Sequence, residues 1–129
     1  MAESLYTVRN LKLFNALNKS IKQGITDLQN KDFDSSLNYM NFALKQAKRL
    51  EAMAEDPFRE HFTNMAKGIN DYLATKNEEI LVSTKPQSVH YQLRAVHKKI
   101  CDTYNIPYLE DVDEMDAAIQ KLADDGKIS

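Results

Sequence analysis

Only six residues in this chain are of the two kinds that most readily turn or stop a backbone: Gly24, Gly68 and Gly126, and Pro57, Pro86 and Pro107, among 129 residues. Sheet folds need a turn every few residues, and glycine and proline supply many of them. A chain this poor in both is expected to run in long uninterrupted elements, which means an all-α fold of a few long helices. With 43% hydrophobic and 28% charged residues, it has the composition of a folded globular protein and the length to bury a core without staples.

The apolar spacing says where those helices lie. Leu11, Phe14, Asn18, Ile21, Ile25 and Leu28 alternate steps of three and four. They form a narrow stripe on a first helix from about Ser4 to Asn30, with Leu17 beside it and Asn18 its one polar interruption. A second helix runs from Phe33 to about Ala54 with Asp32 as its N-cap. Its stripe is Phe33, Leu37, Met40, Leu44 and Ala47, widened by Phe42, Ala43, Leu50 and Ala54. "EDPF" opens a third, Asp56 capping and Pro57 taking the first helical position, where a missing N–H costs nothing. That helix carries Phe58, Phe62, Met65, Ile69, Tyr72 and Leu73 and ends near Ile80. Pro86, within Ser83 to Gln87, discourages helix at Lys85 and marks a linker. A fourth helix, about Ser88 to Tyr104, buries Val89, Leu93, Val96, Ile100 and Tyr104; after "NIP", a short helix over residues 113–124 presents Met115, Ile119 and Leu122. Short connections predict an antiparallel three- to four-helix bundle of long helices with a short C-terminal fifth helix. Residues 1–82 are read as a three-helix bundle, 83–87 as a linker, and 88–129 as a C-terminal helical segment packed on the bundle in a single domain.

Two local strings resemble known designs. "GITDLQNKDFDSSLNYMNFALK" is similar to the helical hairpin of tetratricopeptide repeats and of microtubule-interacting and transport domains: Gly24 allows close approach, Phe33 opens the second helix and Ala43 fills the small position. The match covers one repeat. Ser36 stands where the repeat has Ala, no proline ends the unit and no second copy follows, whereas a solenoid needs about three; no family is assigned. "VHKKICDTYNIPYLEDVDEMDAAIQKLADDGKI" resembles the last two helices of a winged-helix domain. The recognition helix that this implies carries Asp113, Glu114, Asp116, Asp124 and Asp125 against Lys121, and phosphates would repel it. The simpler reading is that Gly126 ends the helix in a left-handed conformation and Ile128 packs back. "DDGKIS" is not a calcium loop, since with Gly126 at the sixth position the first and third fall on Lys121 and Ala123.

Charge and chemistry narrow the function. Residues 1–80 hold eleven basic and eleven acidic side chains, and residues 81–129 hold six and eight. A protein that grips nucleic acid through phosphates usually carries a basic excess. No glycine-rich phosphate loop or Gly-x-Ser-x-Gly elbow is present, and Arg94 and His97 do not have the spacing used by helical ribonucleases. Asp32 with Asp34, and Asp111 with Asp113, sit at helix starts, where acids favour the dipole. No Glu-x-x-His pair for a di-iron bundle occurs. His90, His97 and Cys101 share one edge of the fourth helix, with His97 and Cys101 close enough to join a metal; packing beside the apolar stripe is the preferred reading, and no metal or cofactor is assigned. No run approaches the roughly 18 apolar residues of a membrane span, no secretory signal opens the chain, and lone Cys101 fits a reducing compartment. The expected location is the cytoplasm.

The expectation is therefore a non-enzymatic helical protein–protein interaction module, an adaptor, chaperone-like or regulatory binding protein that binds another protein or itself. Tyr39, Phe42, Tyr91 and Tyr108 are its candidate partner-binding residues, because surplus aromatic side chains favour binding surfaces. The alternative is a nucleic-acid-binding regulator using the basic fourth helix, with Arg94, Lys98 and Lys99 on phosphates.

Overall fold

The computed structural model describes residues 5–55, 58–82 and 88–129, and in these the chain forms six helices and no strand. They are α1 (Val8–Gln29), α2 (Phe33–Met53), α3 (Phe58–Thr75), α4 (Glu79–Val82), α5 (Val89–Thr103) and α6 (Val112–Asp124). The all-α expectation holds for these residues. The C-terminal helix is the sixth rather than the fifth, because a short extra helix follows α3. α1 packs along α2, α2 along α3, and α3 against α5, with α4 wedged between α3 and α5 and α6 laid on α1.

The apolar stripes meet in one continuous cluster. Leu11, Phe14, Leu17 and Ile21 of α1 join Met40 and Leu50 of α2 and Phe62, Met65 and Ile69 of α3. Leu93, Val96 and Ile100 of α5 and Met115, Ile119 and Leu122 of α6 belong to the same cluster. The stripe read on α2 needs two corrections. Phe33 and Phe42 are 55% and 56% exposed, and the buried line instead runs through Ser36, Met40, Ala43, Ala47 and Leu50. Small residues on that line let α1 and α2 approach closely. A Cβ on Gly24 would lie 2.6 Å from Met40 Cε, and the Ser36 hydroxyl donates to the Gly24 carbonyl at 2.7 Å. Ser36, the departure from the repeat pattern, thus ties the two helices through a buried hydrogen bond that alanine cannot make.

Side-chain caps set most of the helix starts. Thr7, Asp32, Ser88 and Asp111 each accept from the backbone N–H three residues on. α1 accordingly begins at Val8, not near Ser4, which lies outside the described residues together with Asp56, Pro57 and the linker at 83–87. α3 stops at Thr75 instead of near Ile80. Lys76 there takes a left-handed conformation (φ 59°), and the Asn77 side chain accepts from Glu79 N–H at 3.2 Å to open α4.

Glycine scarcity shows again at the C-termini. Lys31 (φ 64°), Lys76 and Asn105 (φ 54°) occupy left-handed positions that glycine would favour, and only Gly126 (φ 75°) meets that demand with glycine. At Gly126 the reading from the sequence is met: Lys127 N–H donates to Leu122 O at 2.9 Å and Ile128 is buried. At Lys31, a left-handed L-residue costs roughly 1–2 kcal/mol, partly offset by the extra unfolded-chain entropy of glycine, about 0.4–1 kcal/mol. Lys31→Gly is therefore expected to raise stability by about 1 kcal/mol in urea denaturation; a loss of stability would show that the position is unstrained.

Candidate functional site

After α5 the chain turns back on itself. Asn105 reverses direction with its positive φ, Ile106 N–H donates to Cys101 O at 3.0 Å, and the following residues run over the junction of α1 and α5. α1 holds this strap from beneath: Lys22 Nζ donates to the Glu110 carbonyl and Asn15 Nδ2 to the Val112 carbonyl at 3.0 Å. Tyr108 is thereby laid on His97, ring centroids 4.3 Å apart and planes tilted by 31°. On its other side His97 meets Phe14 of α1, centroids 6.2 Å apart.

Between α1, α5 and the strap lies a pocket of about 140 Å³. Its floor is Asn18, Leu93 and His97; Tyr108 walls one side, and Lys22, His90, Arg94 and Glu110 form the rim. Asn18 and His97 are each only 1% exposed. Neither Asn18 Nδ2 nor His97 Nε2 has a hydrogen-bond partner among the described residues. A buried polar group left unpaired costs about 1–3 kcal/mol; Asn15 Oδ1 and Gln46 Oε1 carry the same cost elsewhere, but only Asn18 and His97 carry it in the lining of this pocket.

The rim is electropositive. Burial, then Lys22, lower the His97 pKa to about 4, with Arg94 acting the same way and Glu110 against it. His90 is lowered by burial first, then by Arg94 and Lys22, again against Glu110. His97 is therefore neutral at pH 7. The Arg94–Glu110 ion pair is long, 3.9 Å, between exposed side chains, so it binds neither partner firmly. Arg94 also lies 5.6 Å from the Tyr108 ring centroid. Burial raises the pKa of Cys101, opposed by a backbone hydrogen bond from Leu109, so at pH 7 it is a packed thiol rather than a nucleophile. No group of three or more His, Cys, Asp and Glu that could hold a metal ion occurs among the described residues.

The residues singled out from the sequence are not gathered into one patch. Tyr39 and Phe42, 38% and 56% exposed, lie on α2, which packs on α1 and α3. Exposed Tyr91 is on α5, and Tyr108 is committed to His97. Of the basic residues, Arg94 faces the strap, whereas Lys99 Nζ lies 5.7 Å from the Phe58 ring centroid. At about 100° per residue these two point about 140° apart around α5. Lys98 is exposed. The pocket itself, with Asn18, Lys22 and Glu110, was not read from the sequence. Its one local sign was Asn18, the polar member of an otherwise apolar stripe.

No family model, curated protein or solved structure matches the chain. Among the described residues no helix is long and apolar enough to cross a membrane.

Proposed function

We propose that this protein is a non-enzymatic helical module that binds another protein through the outer face of α2. The observation that carries the reading is Phe42, more than half exposed and one turn from exposed Tyr39 on a helix whose opposite side is already buried. Lys45 and Arg49, both exposed, follow on the same side as Phe42. An aromatic centre with a cationic rim suits an amphipathic partner helix flanked by carboxylates. A second copy offers the carboxylates, since Asp113, Asp116 and Asp124 are exposed on α6, and its own exposed Phe42 and Tyr39 offer the apolar contact; self-association is the first form of the interaction to test. In this reading the long helices form an antiparallel bundle that acts as a rigid carrier for α2. The protein works in the reducing cytoplasm, in keeping with its lone buried thiol.

Light scattering across a concentration series tests it. The expected result is a mass that rises with concentration, a rise weakened by added salt and abolished in Phe42→Ser and in Arg49→Glu. A constant monomeric mass, or a rise unchanged in both variants, overturns binding of a second copy through this face.

A further inference from the structure

The pocket beneath the strap has the features of a built site independent of the α2 face. Two cationic side chains, Lys22 from α1 and Arg94 from α5, stand at its rim against a single carboxylate, Glu110. Beneath them Asn18 and His97 are almost fully buried, and each keeps a nitrogen for which no described residue supplies a partner. Three parts of the chain far apart in sequence converge on it, and the strap that closes it is held to α1 by two hydrogen bonds.

The chemistry of the lining selects the ligand. Lys22 and Arg94 donate and do not accept, and Asn18 brings an amide that is able to donate. Oxygen acceptors with negative charge satisfy all three, and arginine and lysine bind such groups with charge-assisted hydrogen bonds. The volume, about 140 Å³, is below the roughly 300–1,000 Å³ of pockets for drug-sized molecules. It therefore suits a single small group. We propose that this pocket binds the oxyanion group, phosphate or carboxylate, of a small molecule, with Lys22 and Arg94 neutralising it and Asn18 donating to it from below.

The lowered pKa of His90 agrees with this assignment. Burial is its first cause, Arg94 and then Lys22 add to it and Glu110 opposes them; an anion between the two cations cancels their share. The unpaired amide adds a second sign. Ligand sites retain polar groups at a cost to the unliganded fold, so replacing Asn18 with leucine, similar in size and apolar, removes the expense and the ligand contact together.

The test is an NMR titration of the full chain with inorganic phosphate and, separately, with acetate, at constant ionic strength in chloride. The expected result is saturable shifts of the Asn18 side-chain amide and of the His90 and His97 imidazoles, with the apparent pKa of His90 raised at saturation. Arg94→Gln, at an exposed position that leaves the fold intact, and Lys22→Gln each weaken binding about tenfold or more. Asn18→Leu abolishes it while melting at or above the wild-type temperature. Saturation by phosphate alone, by acetate alone or by both identifies the group accepted. No saturable shift with either anion up to about 50 mM, a concentration at which even millimolar binding would register, overturns the proposal, as does binding of equal strength in Arg94→Gln. Either failure leaves the α2 reading untouched, because Phe42 is not part of this pocket.

Discussion

Phe14→Ala is expected to remove about 3–5 kcal/mol of stability, the usual cost of deleting a buried phenyl group. That is a large share of the roughly 5–15 kcal/mol that holds a domain folded. Phe14 is almost wholly buried and stands between two partners, edge-on to Phe62 of α3 at 6.2 Å and to His97 of α5 at the same centroid separation. Truncation therefore loosens α1 from α3 and α5 at once, at a place where three helices cannot all close in. Urea denaturation at pH 7 measures the loss, with Phe42→Ala as the comparison. Phe42 is mostly solvated, so its truncation should change stability by no more than about 0.5 kcal/mol. A Phe14→Ala loss below about 1 kcal/mol would mean that this ring does not join the helices as described. The substitution also opens space beside His97, and its pKa should climb back toward 6.5 as solvent reaches the ring.

The second large effect concerns pH. His97 titrates near 4 in the folded protein, against 6.5 for an unperturbed histidine, with burial the main cause and Lys22 next. Above pH 6.5 both folded and unfolded chains hold it neutral, and it makes no difference to stability. As pH falls below 6.5 the unfolded chain takes up a proton that the folded chain refuses until about pH 4, so stability drops across that window. At one pKa unit per roughly 1.4 kcal/mol, the loss traceable to His97 is about 2.5 kcal/mol by pH 4.5. His90 is shifted in the same direction and deepens the total. His97→Leu isolates the contribution: between pH 7.5 and 4.5 wild type should lose about 2.5 kcal/mol more than the variant. Equal losses in the two proteins would show that the imidazole is free to protonate in the folded state, and hence that the strap does not seal it.

Much of the architecture is written locally. Leu11, Phe14, Leu17 and Ile21, or Val89, Leu93, Val96 and Ile100, declare a helix and its inner face through spacing alone, and the structure buries these residues. Thr7 and Asn77 are caps of an ordinary kind, yet the competing continuations of α1 toward Ser4 and of α3 toward Ile80 have equally good helical residues. Which one forms depends on where Leu5 and Leu81, both buried, find room in the core. Phe33 is the converse case. Its spacing suits the α2 stripe, but the close approach of Gly24 and Ser36 rotates α2 so that small residues meet α1 and the phenyl ring is left in solvent.

The pocket was illegible for a different reason. Asn18 reads as an interruption, Arg94 as a phosphate contact and Glu110 as one more acid in a run. Their joint meaning depends on the reversal at Asn105 that carries Tyr108 and Glu110 back over α5. What the sequence by itself determined is the helical class, the core face of most helices and the C-terminal stop at Gly126, because each follows from contacts a few residues apart along one helix. Only the tertiary structure decided that the strap closes over His97 and brings Lys22 opposite Arg94. Pairings across more than seventy residues are selected by how whole helical surfaces pack, and no local pattern records that choice.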